Sequence, residues 1–493
     1  MQLLSRLREE KGWIWLAALA FVALNAILLA LEVFYLPLLP VFALVLILAF
    51  FSLDRLVLGV VLLVPLSIPL SRIVQGLPID MNLPTEPVLA LILLIFILRF
   101  LKGNFIDLKL LRHPVTLAVY FYLAWILVTS ITSSDPVVSF KYFLSKFWFI
   151  VGFYLLPAQM FKEAKKMRTY IWLYVISFSI VIVYALIRHA GYGLNSQMMA
   201  HSVMQPFYKD HTSYGATLAF LIPVLTGLFL LIRKSDFNNR FLMILLIAFF
   251  VMATIFSYTR AAWLSIIVAV AVWLIIWLKI RFEFLAISGL VLLGLFFMYR
   301  SQVIMDLEQN RQRSSGDIAE HVQSMTNVST DESNLERINR WSCALRMWKE
   351  RPVFGFGPGT YQFEYGRFQR SYERTAISTD FGTLGTAHSE YLGPLAEMGV
   401  PGILAIIFIV VTTVVAGIRV RFTAKSRSVR IFSLAVLVGL VTYYVHGILN
   451  NFLDTDKASA LFWGFTAMLV AMDVYHREQE EALPDGEKAS ETA

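Results

Sequence analysis

Long, uninterrupted apolar runs recur through most of this sequence, and they constrain the fold more than any other feature. A helix needs about 20 mostly apolar residues to cross a bilayer core of roughly 30 Å, whereas a barrel strand is about half as long and alternates. Hydrophobic residues make up 58% of the chain and charged residues 15%, which is too apolar for a soluble protein of this length. The sequence therefore predicts an all-α, polytopic integral membrane protein.

The apolar runs predict about fourteen transmembrane helices. Their approximate bounds are 13–31, 34–52, 56–71, 87–101, 115–132, 147–160, 169–188, 212–232, 241–257, 261–278, 283–298, 400–418, 431–447 and 458–474. The predicted regions are an N-terminal bundle over 1–298, a large loop over 299–399, C-terminal helices over 400–474 and a disordered tail over 475–493. The first run is too long for a cleavable signal, so we expect it to remain as the first span.

Basic residues in the short connections predict the orientation of the chain. They cluster near the N-terminus and again within 99–112, 162–168, 233–240, 279–281 and 419–430. On the predicted spans, all of these clusters fall on one side, which the positive-inside rule identifies as the cytoplasm. Both termini are therefore expected in the cytoplasm and the large loop in the periplasm.

The second part of the large loop has the pattern of an amphipathic helix from Asn334 to Pro352. Its apolar positions are Leu335, Ile338, Trp341, Leu345 and Trp348. This spacing predicts a helix that lies on the bilayer interface by its aromatic face and ends at the proline. The segment VFGFGPGTYQFEY follows, and its glycines predict a tight turn, because no Gly-Lys-Ser/Thr sequence accompanies them.

Three arginines are candidates for binding an anion. Arg260 lies in SYTRAAWLS, between two apolar runs; it either faces a polar cavity or extends to lipid headgroups. Arg337 and Arg340 are three residues apart on the predicted loop helix, so they share a face and can grip a diphosphate through forked hydrogen bonds. Solvated positions on the helix surface are the alternative.

His388 stands just before an apolar segment, at the expected membrane surface, where an imidazole can act as a base near neutral pH. Its rivals on the same predicted side are His189, His201, His211, His321 and His446. Asp454 and Asp456 could hold a divalent metal on a diphosphate, or could simply be solvated. The single cysteine, Cys343, offers neither an intramolecular disulfide nor a zinc cluster.

Four segments in the C-terminal half carry recognisable motifs. They are HTSYGATLAFLIP (211–223), TRAAWLS (259–265), ERINRWSCALRMWKERPVFGFGPGTY (336–361) and HSEYLGPLAEMGVPG (388–402). The third has Arg337 and Trp341 in an Arg-x-x-x-Trp arrangement, and the fourth has His388 and Ser389 followed by Gly-x-x-Gly at 399–402. On these motifs the chain resembles the O-antigen ligase and polymerase superfamily of bacterial inner-membrane enzymes.

The resemblance implies a glycosyltransferase that moves a glycan from undecaprenyl diphosphate onto a sugar hydroxyl without a metal or other cofactor. It implies that His388 is the catalytic base and that Arg260 and Arg337, with Arg340 beside them, bind the diphosphate. Fixed cations then stabilise the leaving-group charge that a metal would otherwise balance. The resemblance makes a metal at Asp454 and Asp456 less expected.

Several activities remain open at this point. Ligation to lipid A core in lipopolysaccharide assembly, polymerisation of polysaccharide repeat units and transfer to protein share the same chemistry. A lipid-linked-sugar transporter is the alternative from another class, but ionisable residues lie mainly at span ends and no half of the sequence is repeated. A non-catalytic assembly scaffold is the third possibility. The expected partners are the lipid-linked donor, a glycan or lipid A core acceptor and membrane lipids, with no nucleic acid.

Overall fold

The computed structural model describes residues 2–31, 36, 38–74, 81–103, 106–280, 294, 298, 332–374, 378 and 385–480. Its helices are α1 (Gln2–Ala30), α2 (Leu38–Phe51), α3 (Leu53–Leu63), α4 (Thr85–Leu101), α5 (Leu108–Leu111), α6 (Pro114–Ile131), α7 (Pro136–Ile150), α8 (Leu156–Met160), α9 (Ala164–Tyr192), α10 (Gln197–Ala200), α11 (His211–Leu231), α12 (Phe237–Phe256), α13 (Arg260–Trp277), α14 (Glu332–Glu350), α15 (Tyr361–Glu364), α16 (Leu392–Thr423), α17 (Arg427–Leu449) and α18 (Asp456–Ala471). The structure is 78% helical, and two short strands, β1 (Ile68–Pro69) and β2 (Asn82–Leu83), pair antiparallel. The all-α prediction is confirmed.

Nine helical segments within the described residues are long and apolar enough to cross a membrane. They are α6, α9, α11, α12, α13, α16, α17, the continuous segment formed by α7 and α8, and α18 with its extension to His476. Each matches a predicted span, and α1 and α2 contain shorter apolar runs. The polytopic membrane prediction is therefore confirmed, while the count of fourteen stays a prediction. Most of the predicted span at 283–298 and most of the predicted tail lie outside the described residues.

The predicted span at 56–71 is wrong as a continuous helix. Helix α3 ends at Leu63, and the chain continues as a 3-10 turn over Val64–Leu66 and then as β1. Pro65 and Pro69 account for this ending, because proline lacks the N–H of a helical hydrogen bond and its ring clashes with the preceding turn.

The described residues divide into two compact units, 1–56 and 57–493. The first contains α1, α2 and the start of α3. In the second, α17 and α18 form the core. In the most apolar 18-residue stretch of each span, 83% of α17 and 89% of α18 is buried, whereas only 22% of α12 and of α13 is buried. Helix α17 packs on α11 so closely that a Cβ on Gly439 would lie 2.9 Å from the carbonyl oxygen of Phe220. Small residues permit such close approach between membrane helices.

Helix α14 confirms the predicted loop helix, but its apolar positions are not buried equally. Cys343, Ala344 and Met347 are fully buried, whereas Ile338 and Leu345 are 42% and 41% exposed. The buried residues pack against the glycine turn and the start of α16. The apolar side of α14 is thus left available to a bilayer surface, and its contact with lipid stays a prediction.

The predicted glycine turn packs against a break inside α16. Gly399 has φ 65° and ψ −163°, a backbone conformation that is essentially restricted to glycine. Next to this break, the N–H of Phe356 donates to the carbonyl of Ala396 at 3.2 Å, and the N–H of Gly357 donates to the carbonyl of Glu397 at 2.8 Å. The turn and the break therefore satisfy each other's backbone groups.

Serines at the connection between α6 and α7 hold the opposite side of the same turn. The backbone N–H of Ser134 donates to the carbonyl of Phe356 at 2.8 Å, and the hydroxyl of Ser139 donates to the carbonyl of Pro358 at 2.8 Å. The large loop is consequently fixed between two transmembrane elements, and this fixes the position of α14.

Replacing Gly399 by alanine is expected to destabilise the protein by roughly 2 kcal/mol or more. A Cβ at this position would overlap the carbonyl of Val353, and alanine rarely adopts the required φ. The measurement is the unfolding temperature of the detergent-solubilised protein. Gly191→Ala is the matched control, because nothing lies within 4 Å of a Cβ there. Equal unfolding temperatures for the two variants would contradict this role of the break.

Candidate active site

His388 lies in a tight turn immediately before α16. Its φ of 48° is in the left-handed region, which is uncommon for residues other than glycine. Its N–H lies 3.4 Å from the hydroxyl of Thr386. The hydroxyl of Ser389 accepts from the N–H groups of Tyr391 and Leu392, both at 3.3 Å, and so caps the helix. These contacts hold the strained turn and leave the imidazole half-buried.

Arg340 ties the His388 turn to α14. Its Nε donates to Glu336 at 2.7 Å, and its Nη1 donates to the carbonyl of Thr386 at 3.0 Å. The residue is only 4% exposed, and its guanidinium lies 5.3 Å from the centre of the Tyr365 ring. This placement favours a positioning role, and the predicted contact of Arg340 with a diphosphate stays a prediction.

Arg337 is more exposed than Arg340, although the two residues are close on α14. Its charge acts on His388, His211 and His446. The guanidinium therefore lies among histidines contributed by three different segments of the chain. Arg337 and Arg340 differ in burial, because Arg340 is paired with Glu336, and their joint binding of a diphosphate stays a prediction.

Arg260 is the first residue of α13 and is half-buried. Its charge acts on His211, the first residue of α11. The hydroxyl of Thr259 donates to the carbonyl of His211 at 2.7 Å, which joins the starts of the two helices. The charges of Arg260 and Arg337 thus both act on His211, and the charge of Arg337 also acts on His388.

Two histidines that the sequence left as rivals of His388 also belong to this region. The ring of His211 stacks on that of His201, with centroids 4.0 Å apart and an interplanar angle of 11°. His446, at the end of α17, is 1% exposed, and the charge of Arg337 acts on it. In the sequence, His211 and His446 share one feature: each lies at the end of a predicted span, on the predicted outer side of the membrane. His189 instead contacts the carbonyl of Ser196 at 3.0 Å, and His321 lies outside the described residues.

Burial and positive charge keep His388 neutral. Burial is the larger cause, and the charges of Arg340 and Arg337 add to it, so that the pKa of His388 falls from 6.5 to about 3. At pH 7 the imidazole therefore has a lone pair available for a proton. Because the pKa is lower in the folded than in the unfolded protein, protonation of His388 costs stability as the pH falls from 6.5 toward 3.

The carboxylates of Asp454 and Asp456 lie in separate ion pairs. Asp454 contacts the Nζ of Lys146 at 2.6 Å. Asp456 is fully buried, accepts two hydroxyl hydrogen bonds at 2.6 Å and pairs with Lys457 at 3.3 Å. In the part of the chain that the structure describes, no group of three or more His, Cys, Asp or Glu side chains could hold a metal ion. The ion pairs and hydrogen bonds of the two carboxylates favour structural roles for both aspartates.

The comparisons with known proteins concern the same part of the chain. A family model described as O-antigen ligase matches residues 241–407, which include Arg260, Arg337 and His388. An uncharacterized protein of Haemophilus influenzae is 22% identical over 238 residues, or 48% of this chain and 57% of that protein. The chain thus matches little more than half the length of that relative. The family match confirms the resemblance carried by the sequence motifs and supports membership of the chain in the O-antigen ligase family.

Proposed function

We propose that the protein is an inner-membrane glycosyltransferase that transfers a glycan from undecaprenyl diphosphate to a sugar hydroxyl on the periplasmic side. The family match supports activity of the O-antigen ligase or polymerase type. The observation that carries the finer proposal is the placement of arginine charge at the His388 turn: Arg340 of α14 donates to the carbonyl of Thr386 at 3.0 Å, and the charge of Arg337 acts on both His388 and His211. The charge of Arg260 acts on His211 as well.

In the proposed reaction, His388 accepts the proton of the acceptor hydroxyl while the hydroxyl oxygen attacks the anomeric carbon of the donor. The bond between that carbon and the diphosphate oxygen breaks, and its electron pair stays on the diphosphate. Arg260 and Arg337 stabilise the additional negative charge of the leaving group. The proton on His388 then passes to solvent, so the products are the new glycoside, undecaprenyl diphosphate and a proton.

The low pKa of His388 fits a base that works only beside a bound donor. A base with a pKa of about 3 is weak at neutral pH, since general bases are most effective when their pKa lies near the working pH. A bound diphosphate would place negative charge next to Arg337 and Arg340. That charge offsets the effect of the arginines and raises the pKa of His388.

The orientation is part of the proposal. Basic connections support cytoplasmic termini, which puts the loop over 299–399 and the start of α16 on the periplasmic side. The apolar surfaces of α12 and α13, which are mostly exposed, suit contact with lipid tails. A donor embedded in the membrane can then present its diphosphate at the depth of Arg260.

Ligation to lipid A core is the activity we propose first, and polymerisation of repeat units is the alternative. Both use the same donor chemistry, and they differ only in the acceptor hydroxyl. Supplying reconstituted protein with a labelled lipid-linked glycan and either acceptor would separate them. Movement of labelled donor across the membrane without glycosidic bond formation would support a transporter instead.

His388→Ala is expected to lower kcat by about 10²- to 10⁴-fold, because it removes the proposed base. The measurement is transfer from the labelled lipid-linked donor by protein reconstituted in nanodiscs. His189→Gln is the control, since His189 lies in the same predicted outer region, where it contacts the carbonyl of Ser196 and the rings of Phe256 and Tyr258. Undiminished transfer by His388→Ala would contradict the assignment of His388 as the base, and absence of transfer by the wild type would favour a scaffold.

Arg260→Ala is expected to reduce kcat strongly, by about a hundredfold, while leaving the unfolding temperature nearly unchanged. Arg260→Lys should recover only part of the rate, because lysine lacks the planar fork that makes two parallel hydrogen bonds to a diphosphate. Both variants are compared by single-turnover transfer. Full activity of the lysine variant would show that charge alone suffices at this position.

The pH dependence should differ between the free protein and the donor complex. The profile of kcat/KM for the donor reports the free protein, and the profile of kcat reports the complex. Because the pKa of His388 is about 3 before the donor binds, kcat/KM should show no loss from its protonation between about pH 7 and about pH 5. The apparent pKa on the acid side of the kcat profile should be higher than that of the kcat/KM profile. Identical profiles would contradict the proposed effect of the donor on the base.

A further inference from the structure

We infer that His211 is a third ligand of the donor diphosphate, acting beside Arg260 and Arg337 with His201 stacked against it. The inference deepens the proposed function and rests on it. Neither the sequence motifs nor the predicted arginine pair assigned a role to this histidine.

The position of His211 is fixed by the backbone around it. Its carbonyl accepts the hydroxyl of Thr259 at 2.7 Å, so the residue is held at the junction of α11 and α13. The carboxylate of Asp210 caps α11 by accepting the N–H of Ser213 at 2.8 Å and the hydroxyl of Thr212 at 2.7 Å. The imidazole is therefore anchored next to the residue that begins α13, Arg260.

The side chain of His211 has unused hydrogen-bonding capacity. Its Nδ1 is buried and makes no hydrogen bond to any residue that the structure describes. Buried polar atoms almost always have a partner, and leaving one without a partner is costly. Stacking with His201 at 4.0 Å holds the ring but satisfies neither ring nitrogen. A ligand atom with a lone pair would complete the site.

The charges around His211 indicate that this ligand is an anion. Arg337, Arg260 and His201 contribute positive or potentially positive charge from α14, α13 and the segment before α11. Asp210 is the opposing charge; burial raises its pKa, but the hydrogen bonds from Ser213 and Thr212 outweigh this and lower it. Its carboxylate is already engaged in capping. A diphosphate would interact favourably with the cations that these separate elements contribute.

The two site histidines would then have opposite tasks. His388 is neutral and accepts a proton from the acceptor, whereas His211 donates a hydrogen bond to the diphosphate. The amide groups at the start of α11 add a favourable field for a negative charge there. This division predicts that a substitution of His211 weakens binding of the donor and leaves binding of the acceptor unchanged.

The test compares His211→Gln with wild-type protein in nanodiscs, using initial transfer rates at varied donor and varied acceptor and inhibition by undecaprenyl diphosphate. The variant is expected to raise the donor KM and the inhibition constant by about tenfold, which is the usual effect of losing a hydrogen bond to a charged group. The acceptor KM should not change. His211→Lys should restore donor binding to within about threefold by supplying a fixed charge. The control His189→Gln should match the wild type.

Wild-type protein provides a readout that does not depend on a variant folding. Undecaprenyl diphosphate is expected to protect His211 from modification by diethyl pyrocarbonate, as measured by mass spectrometry of the modified peptide. Lack of protection, or an unchanged donor KM in a folded His211→Gln protein that still depends on His388, would overturn the inference and leave the proposed function standing. Absence of transfer from the lipid-diphosphate donor by the wild type would instead refute the proposed function.

Discussion

The hydrogen bonds between the glycine turn and the break in α16 are the constraint on which the candidate site depends. Unpaired backbone groups are costly in a membrane protein. The break at Gly399 is tolerated because the N–H groups of Phe356 and Gly357 donate hydrogen bonds to the carbonyls of Ala396 and Glu397 beside it. The turn leads back to α14, and the break follows the His388 turn along the chain. The two cations of α14 and the proposed base are consequently fixed to one another.

The two arginines of α14 differ in burial, and we assign them different roles for that reason. Arg340 and Glu336 form an ion pair in which both side chains are about 95% buried from solvent, at 5% and 4% exposure. Such pairs contribute little net stability but penalise arrangements in which either partner is lost. Arg337, one turn away, is more exposed, and its charge acts on His388, His211 and His446. The same residue type is thus used once to hold the His388 turn and once, in our proposal, to hold the substrate.

Asp454, one of the two aspartates that suggested a metal site, belongs to a network of contacts that also holds the His388 turn. Glu390, two residues after the proposed base, accepts hydrogen bonds from the N–H groups of Phe452 and Leu453 at 2.7 and 2.9 Å. The carbonyl of Leu453 in turn accepts from the buried Lys146 at 2.7 Å, which also pairs with Asp454. Burial raises the pKa of Glu390 despite the nearby lysine. These contacts link the connection between α17 and α18 to α7 and to the His388 turn.

The sequence by itself determined the membrane class, most span positions, the helix from 334 to 350 and the glycine turn, because apolar length, helical periodicity and glycine backbone freedom are local properties. It also selected Arg260, Arg337 and His388 by motif. Only the tertiary structure decided that Arg340 is committed to Glu336, that Asp454 and Asp456 face different lysines, and that His211 lies beside Arg260. These outcomes depend on which element ends meet, and the contacts that decide them join residues up to 389 positions apart, as between Ser67 and Asp456. Side-chain charge and burial at such meeting points are set by packing between distant segments, which no local pattern of residues encodes.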